Sequence, residues 1–142
     1  MDDSIQIAET LSTAVQKLRF GLPVAHVYNP LNYAWNAHKS YLKTYATGTR
    51  KAVFLGMNPG PYGMAQTGVP FGDPTAVRDL LNIRVPIGRP KSEHPKRPIY
   101  GMDSPRGEVS GRRVWAWVLN PTPRTVPRPS PHHPGMIRND QG

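Results

Sequence analysis

No cysteine occurs anywhere in the 142 residues. A disulfide scaffold, a cysteine-ligated zinc site and a cysteine nucleophile are therefore excluded. Acidic residues are scarce: 9 Asp and Glu stand against 18 Lys and Arg, giving a net charge of +9 and a pI near 10.3. That balance rules out an acidic tail and directs attention to partners carrying negative charge, nucleic acid first among them. No apolar run reaches the length of a membrane span. The opening Met-Asp-Asp is unlike a secretory or transit leader, so a soluble intracellular chain is expected. The five histidines have no carboxylates at metal-ligand spacing, and no metal or other cofactor is expected. What the chain has in excess is proline, 17 residues, too many for an all-helical bundle.

The length suits one domain, but charge and proline are unevenly spread. Between Arg84 and Arg113 lie 8 basic and 3 acidic residues, against 7 and 5 in the whole of Met1–Ile83. Interrupted by Pro86, Pro90, Pro95, Pro98 and Pro105, this middle stretch reads as a long basic loop. It is equally a solvated surface and a phosphate-contacting one on charge alone. From Asn120 onward six prolines and no periodicity predict a disordered or extended tail. The chain thus divides into a domain over 1–119 and a tail over 120–142.

Ile7, Leu11, Val15 and Leu18, spaced 4, 4 and 3, predict a first helix with that stripe in the core, started by Asp3 or Ser4 and ended by Gly21 and Pro23. A second helix is predicted within Ala34–Tyr45, with Tyr33, Trp35, Tyr41 and Tyr45 as core aromatics. Ala52–Leu55 is a short apolar run bounded by a turn signal, the pattern of a buried strand. A short helix is expected over Asp73–Leu81, and a last one from Gly111, capped by Ser110 and packed through Val114, Trp115, Val118 and Leu119.

The chemically informative segment is Gly56-Met57-Asn58-Pro59-Gly60-Pro61-Tyr62-Gly63-Met64-Ala65-Gln66-Thr67-Gly68-Val69-Pro70-Phe71-Gly72. It follows the carboxyl end of the predicted strand, where open α/β sheets bind ligands. Gly60 and Gly63 let backbone N–H groups approach a ligand closely. Asn58, fixed before Pro59, can orient a water or a polar ligand group. Phe71, between Pro70 and Gly72, offers a flat face for stacking a planar ligand. The glycine spacing matches neither a Walker loop nor the dinucleotide fingerprint.

This motif resembles the first active-site motif of single-strand-selective monofunctional uracil-DNA glycosylases. The flanks Tyr28-Asn29-Pro30, Tyr33-Ala34-Trp35, Glu93-His94-Pro95-Lys96-Arg97-Pro98 and Glu108-Val109-Ser110-Gly111 extend the resemblance from Leu18 to about Trp117. It implies an α/β protein with the three-layer α/β/α fold of uracil-DNA glycosylases. Here the fold would be incomplete: N-terminal helices, the first core strand, the active-site loop, the basic loop and one further helix. It implies a monofunctional base-excision-repair hydrolase acting in the nucleus, as a monomer without a cofactor. The substrate would be uracil or modified uracil flipped out of single- or double-stranded DNA. Asn58 would hold the attacking water and Phe71 would stack on the base. Met57 and Gly60 would contact its polar edge through their backbone, and Met64 would either block larger bases or serve as packing. Lys96, Arg97, Arg112 and Arg113 would face DNA.

The resemblance stops near Val118. The family continues with most of its sheet strands, an asparagine that reads the base edge and a His-Pro-Ser-Pro loop whose histidine stabilises the departing anion. This chain has Arg128-Pro129-Ser130-Pro131, so no catalytic histidine is assigned. Without parallel neighbours the Ala52–Leu55 strand would expose apolar surface and unpaired backbone. Impaired catalysis is therefore expected. The alternatives are a non-catalytic binder of nucleic acid or nucleobase, and an unstable fragment.

Overall fold

The computed structural model describes residues 3–120. Helix α1 spans Asp3–Gln16, α2 Pro30–Tyr33, α3 Trp35–Tyr45, α4 Met64–Thr67 and α5 Val109–Leu119. A π-helical segment, Ala76–Leu80, and a 3-10 turn, Gly101–Asp103, lie between α4 and α5. Among the described residues there is no strand, and no helix is long and apolar enough to cross a membrane. The predicted tail lies outside the described residues apart from Asn120.

The first helix forms where expected, but with a different face inward. Ile5 and Ala8 are buried and Val15 half-buried, whereas Ile7 and Leu11 are 67% and 51% exposed. Spacings of 3 and 4 from Ile5 through Ala8 and Ser12 to Val15 define the contact stripe, and the predicted stripe is its neighbour on the helix surface. The helix also ends at Gln16, well before Gly21, and Leu18 is exposed. Asn29 explains how α1 and α2 are joined. Its Oδ1 accepts from Leu31 N at 3.2 Å, capping α2, while its Nδ2 donates to Ser12 O at 3.2 Å and Gln16 Oε1 at 3.1 Å on α1. Pro30 at the first helical position suits this start.

Helix α3 bridges two small cores. Ile5, Ala8 and Leu42 form one; Ala37, Val69, Ala76, Val77, Leu81, Ile83 and Trp115 form the other. Of the four predicted core aromatics, Trp35, Tyr41 and Tyr45 pack against these cores and Tyr33 does not. Tyr41 and Tyr45 stack at 6.1 Å, and both meet the Trp115 ring at about the same separation.

Two predictions are corrected. Ala52–Leu55 is not a buried strand: Val53 is 86% exposed, Leu55 93% and the following Met57 97%. A strand exists only through a laddered neighbour, and among the described residues this run has no strand partner. Its one ring contact is Phe54 edge-on to Trp117 at 5.7 Å. Helix α5 starts at Val109, not Gly111, with Glu108 in the capping position, so Ser110 lies inside the first turn. Of its predicted apolar face only Trp115 is buried; Val118 and Leu119 are exposed. The Asp73–Leu81 helix is present, widened over its second half: Leu81 N bonds Ala76 O at 2.9 Å, five residues back.

Candidate functional site

The glycine-rich segment folds as a turn, a single helical turn and a second turn. Gly63 N and Ala65 N both bond Gly60 O, at 3.2 and 3.0 Å, closing the first turn. Helix α4 follows and ends at Gly68, whose backbone is left-handed at φ 74°. The surroundings fix α4 from three sides. Tyr33 Oη donates to Ala65 O. His38 Nδ1 donates to Gly68 O at 2.7 Å, and burial pushes this imidazole below its ordinary pKa. Buried Gln66 donates through Nε2 to Pro61 O and Pro98 O, both at 3.1 Å, and its Oε1 accepts from Tyr100 N at 2.8 Å and Gly101 N at 3.3 Å. One amide thereby joins the glycine turn to the basic stretch.

The second turn carries Phe71 in the left-handed region, at φ 51°, a conformation uncommon for a bulky side chain. The turn holds it there: Thr67 Oγ1 donates to Gly72 O at 2.9 Å, Trp115 Nε1 donates to Pro70 O at 3.1 Å, and Asp73 N donates to Phe71 O at 2.9 Å. Helix α5 presses against this turn at Gly111. A Cβ there would meet the Phe71 carbonyl, so only glycine permits the approach.

Met57, Asn58, Gly60, Met64 and Phe71 surround one cavity of about 510 Å³, with Phe54, Pro70, Glu108 and Ser110 completing much of the wall. The structure thus brings together all five residues singled out for the base and the water. Asn58 is exposed, and its Nδ2 donates only to Pro59 O at 3.3 Å. The Phe71 ring faces the cavity and also packs against the larger core.

Sequence reasoning missed Glu108. Its side chain lies across the glycine turn, filling the space that a Cβ on Gly60 or Gly63 would occupy. These glycines therefore admit a carboxylate, where the sequence suggested a ligand's close approach. The cavity wall contains this carboxylate, no cation and no histidine among the described residues.

The four cationic residues expected to face DNA do not line this cavity. Lys96 and Arg97 border a separate hollow of about 310 Å³ together with Tyr62, Tyr100 and Arg106. Arg112 is directed at Asp73, whose carboxylate is fully buried, with 3.5 Å between Nη2 and Oδ1. Asp73 also accepts from Ala76 N at 3.0 Å and Glu108 N at 2.7 Å, so it ties the start of α5 to the start of the π-helical segment. Arg113 is exposed on α5. Among the described residues no three His, Asp or Glu side chains are grouped as metal ligands would be.

No family model matches the chain. Among curated proteins, the single-strand selective monofunctional uracil DNA glycosylase of Bos taurus is 50% identical over 110 residues, covering 78% of this chain and 40% of that protein. The proteins of the same name from Mus musculus and Rattus norvegicus are each 50% identical over 107 residues, 75% of this chain and 38% of theirs. These matches bear out the resemblance read from the motif. The chain spans about two fifths of the length of the curated relatives it matches.

Proposed function

We propose that this chain carries the water-positioning and base-stacking half of a uracil-DNA N-glycosylase of base-excision repair. The observation that carries this reading is the convergence of Asn58 and Phe71 on one cavity, within a segment half identical to proteins named as uracil DNA glycosylases. The substrate is uracil or modified uracil in DNA, extruded from the stack so that its glycosidic bond can be reached. The base lies on Phe71, against Met64, with the backbone around Met57 and Gly60 at its polar edge. The bond from C1′ to N1 breaks with its electron pair leaving on the uracil. Asn58 Oδ1 accepts a hydrogen bond from a water whose oxygen then bonds C1′; the proton it releases passes to bulk water, and the departing uracil anion takes a proton from bulk water. An amide is a weak base, but position matters more than basicity when the electrophile is already a cation.

In this proposal residues 1–119 supply the helices and active-site loop of a three-layer α/β/α glycosylase fold, and 120–142 lie outside that domain. The protein is nuclear and monomeric, and uses no cofactor. A second reading, a non-catalytic binder of nucleic acid or nucleobase, is favoured by one observation: the described cavity wall holds the Glu108 carboxylate and no positive group to stabilise a departing anion.

The test is single-turnover release of uracil from a single-stranded oligonucleotide by the 142-residue chain and its Asn58→Ala variant. Slow release that the substitution abolishes supports the glycosylase reading. Tight binding without release, from a cooperatively folded chain, selects the second. Release unaffected by Asn58→Ala overturns the assigned role.

A further inference from the structure

The hollow beside Tyr62 is distinct from the Asn58 cavity but is built from the same turn. Pro59 and Gly60 line the cavity; Pro61 and Tyr62 line the hollow. Its wall combines Lys96, Arg97 and Arg106 with two aromatic rings and contains no carboxylate. Both guanidinium groups lie against the Tyr62 ring, Arg106 at 5.3 Å and Arg97 at 5.9 Å from its centroid, and Arg106 Nη1 donates to Tyr62 Oη at 3.0 Å. The remaining known contact of the Arg97 guanidinium is to the Lys96 carbonyl at 2.8 Å. By contrast Arg78, Arg84, Arg89 and Arg112 each pair with a carboxylate. Among the described residues the hollow therefore gathers cations that have no carboxylate at ion-pair distance. Tyr100, half exposed on its rim, adds an open aromatic face.

We propose that this hollow is a subsite for a flanking nucleotide of a single DNA strand, with Arg97 and Arg106 on its phosphate and Tyr100 under its base. Tyr62 is a positioning residue that holds the two guanidinium groups side by side. The inference rests on the reading of the Asn58 cavity as the seat of the excised base, which it extends along the strand. Tyr62 lies four positions after Asn58, a span of at most about 14 Å. That short span puts the hollow within a few nucleotides of the cavity along a bound strand. Planar cations beside an aromatic platform are the means by which proteins track a single strand without reading its sequence.

The experiment measures binding of the full chain to two single-stranded oligonucleotides, identical except for uracil or thymine at one position, across a salt series. Arg97→Gln and Arg106→Gln are each expected to lower the slope of log affinity against log salt by about 0.7. Tyr100→Leu is expected to weaken both oligonucleotides about tenfold, and a single abasic spacer at the stacked position abolishes that difference. Lys43→Gln, exposed on α3, serves as the control and changes neither quantity. Circular dichroism verifies that each variant folds. Parental slopes and affinities in the three hollow variants, or no binding of either oligonucleotide by the parent, overturn the subsite. Equal weakening on both oligonucleotides with no preference for uracil sustains the subsite and removes the uracil reading instead.

Discussion

Replacing Asp73 by alanine tests the framework that holds the site. The carboxylate is fully buried, accepts backbone N–H bonds from Ala76 and Glu108, and faces Arg112 at 3.5 Å. Hydrogen bonds to charged groups contribute roughly 1.5–3 kcal/mol each, and a buried donor left unpaired keeps its desolvation cost. Two such donors give an expected loss of about 3–6 kcal/mol, a large share of the roughly 5–15 kcal/mol that holds a domain together. Asp73→Asn keeps one acceptor but turns an amide N–H₂ toward the second donor, so about half that loss is expected. Arg112→Gln should cost under about 1 kcal/mol, because the guanidinium is 56% exposed and water screens the pair. Urea unfolding followed by far-UV circular dichroism ranks the three variants. Asp73→Ala within about 1 kcal/mol of the parent would falsify the hub. Arg112→Gln as damaging as Asp73→Ala would show that the ion pair, and not the backbone bonds, holds the carboxylate.

Phe71→Ala is expected to weaken binding of uracil-containing DNA by the equivalent of about 1–3 kcal/mol of stacking. The melting temperature read alongside decides the matter, since a stability loss of about 3–5 kcal/mol would mark the ring as core instead. Stability should depend on pH through His38: burial lowers its folded pKa below the ordinary 6.5. The unfolded chain therefore binds the proton more readily, and the contribution is full above about pH 6.5 and declines as pH falls toward the folded value. His38→Gln should flatten the melting temperature between pH 5 and 7, and an unchanged profile would remove His38 as the cause. The 142-residue chain should release uracil slowly, because the cavity wall among the described residues holds no cation or histidine for the departing anion, and losing one stabilising donor alone costs about 10²–10³ in rate. Rapid single-turnover release, abolished by Asn58→Ala, would contradict this.

Helix positions were readable because apolar spacing and Gly and Pro punctuation are local signals: α1, α3 and α5 fall close to where periodicity puts them. Which face of α1 turns inward was not readable, because Ile5/Ala8 and Ile7/Leu11 are both apolar stripes and the choice is made by α2 and α3. The Ala52–Leu55 run shows the converse limit. Its pattern is that of a buried strand, but burial depends on neighbours that lie elsewhere in sequence. At the site, motif residues were legible from their order around Asn58-Pro59-Gly60. Glu108 was not, since a residue fifty positions away reaches the glycines only through Asp73 and the start of α5. Gln66 was hidden for a similar reason: its four hydrogen bonds are all made to backbone, which no side-chain pattern announces.

The exposed stretch Val53–Met57 has a consequence for the protein at concentration. It joins β-branched, aromatic and aliphatic residues without a charge, the composition that pairs with copies of itself once strands meet edge to edge. Its borders oppose that pairing. Arg50 and Lys51 repel a second copy in parallel register, and Pro59 withholds a donor just past the other end. Ionic strength acts on only one of these gatekeepers. Salt screens the Arg50–Lys51 repulsion and leaves Pro59 untouched, so raising the ionic strength favours the chain's self-association.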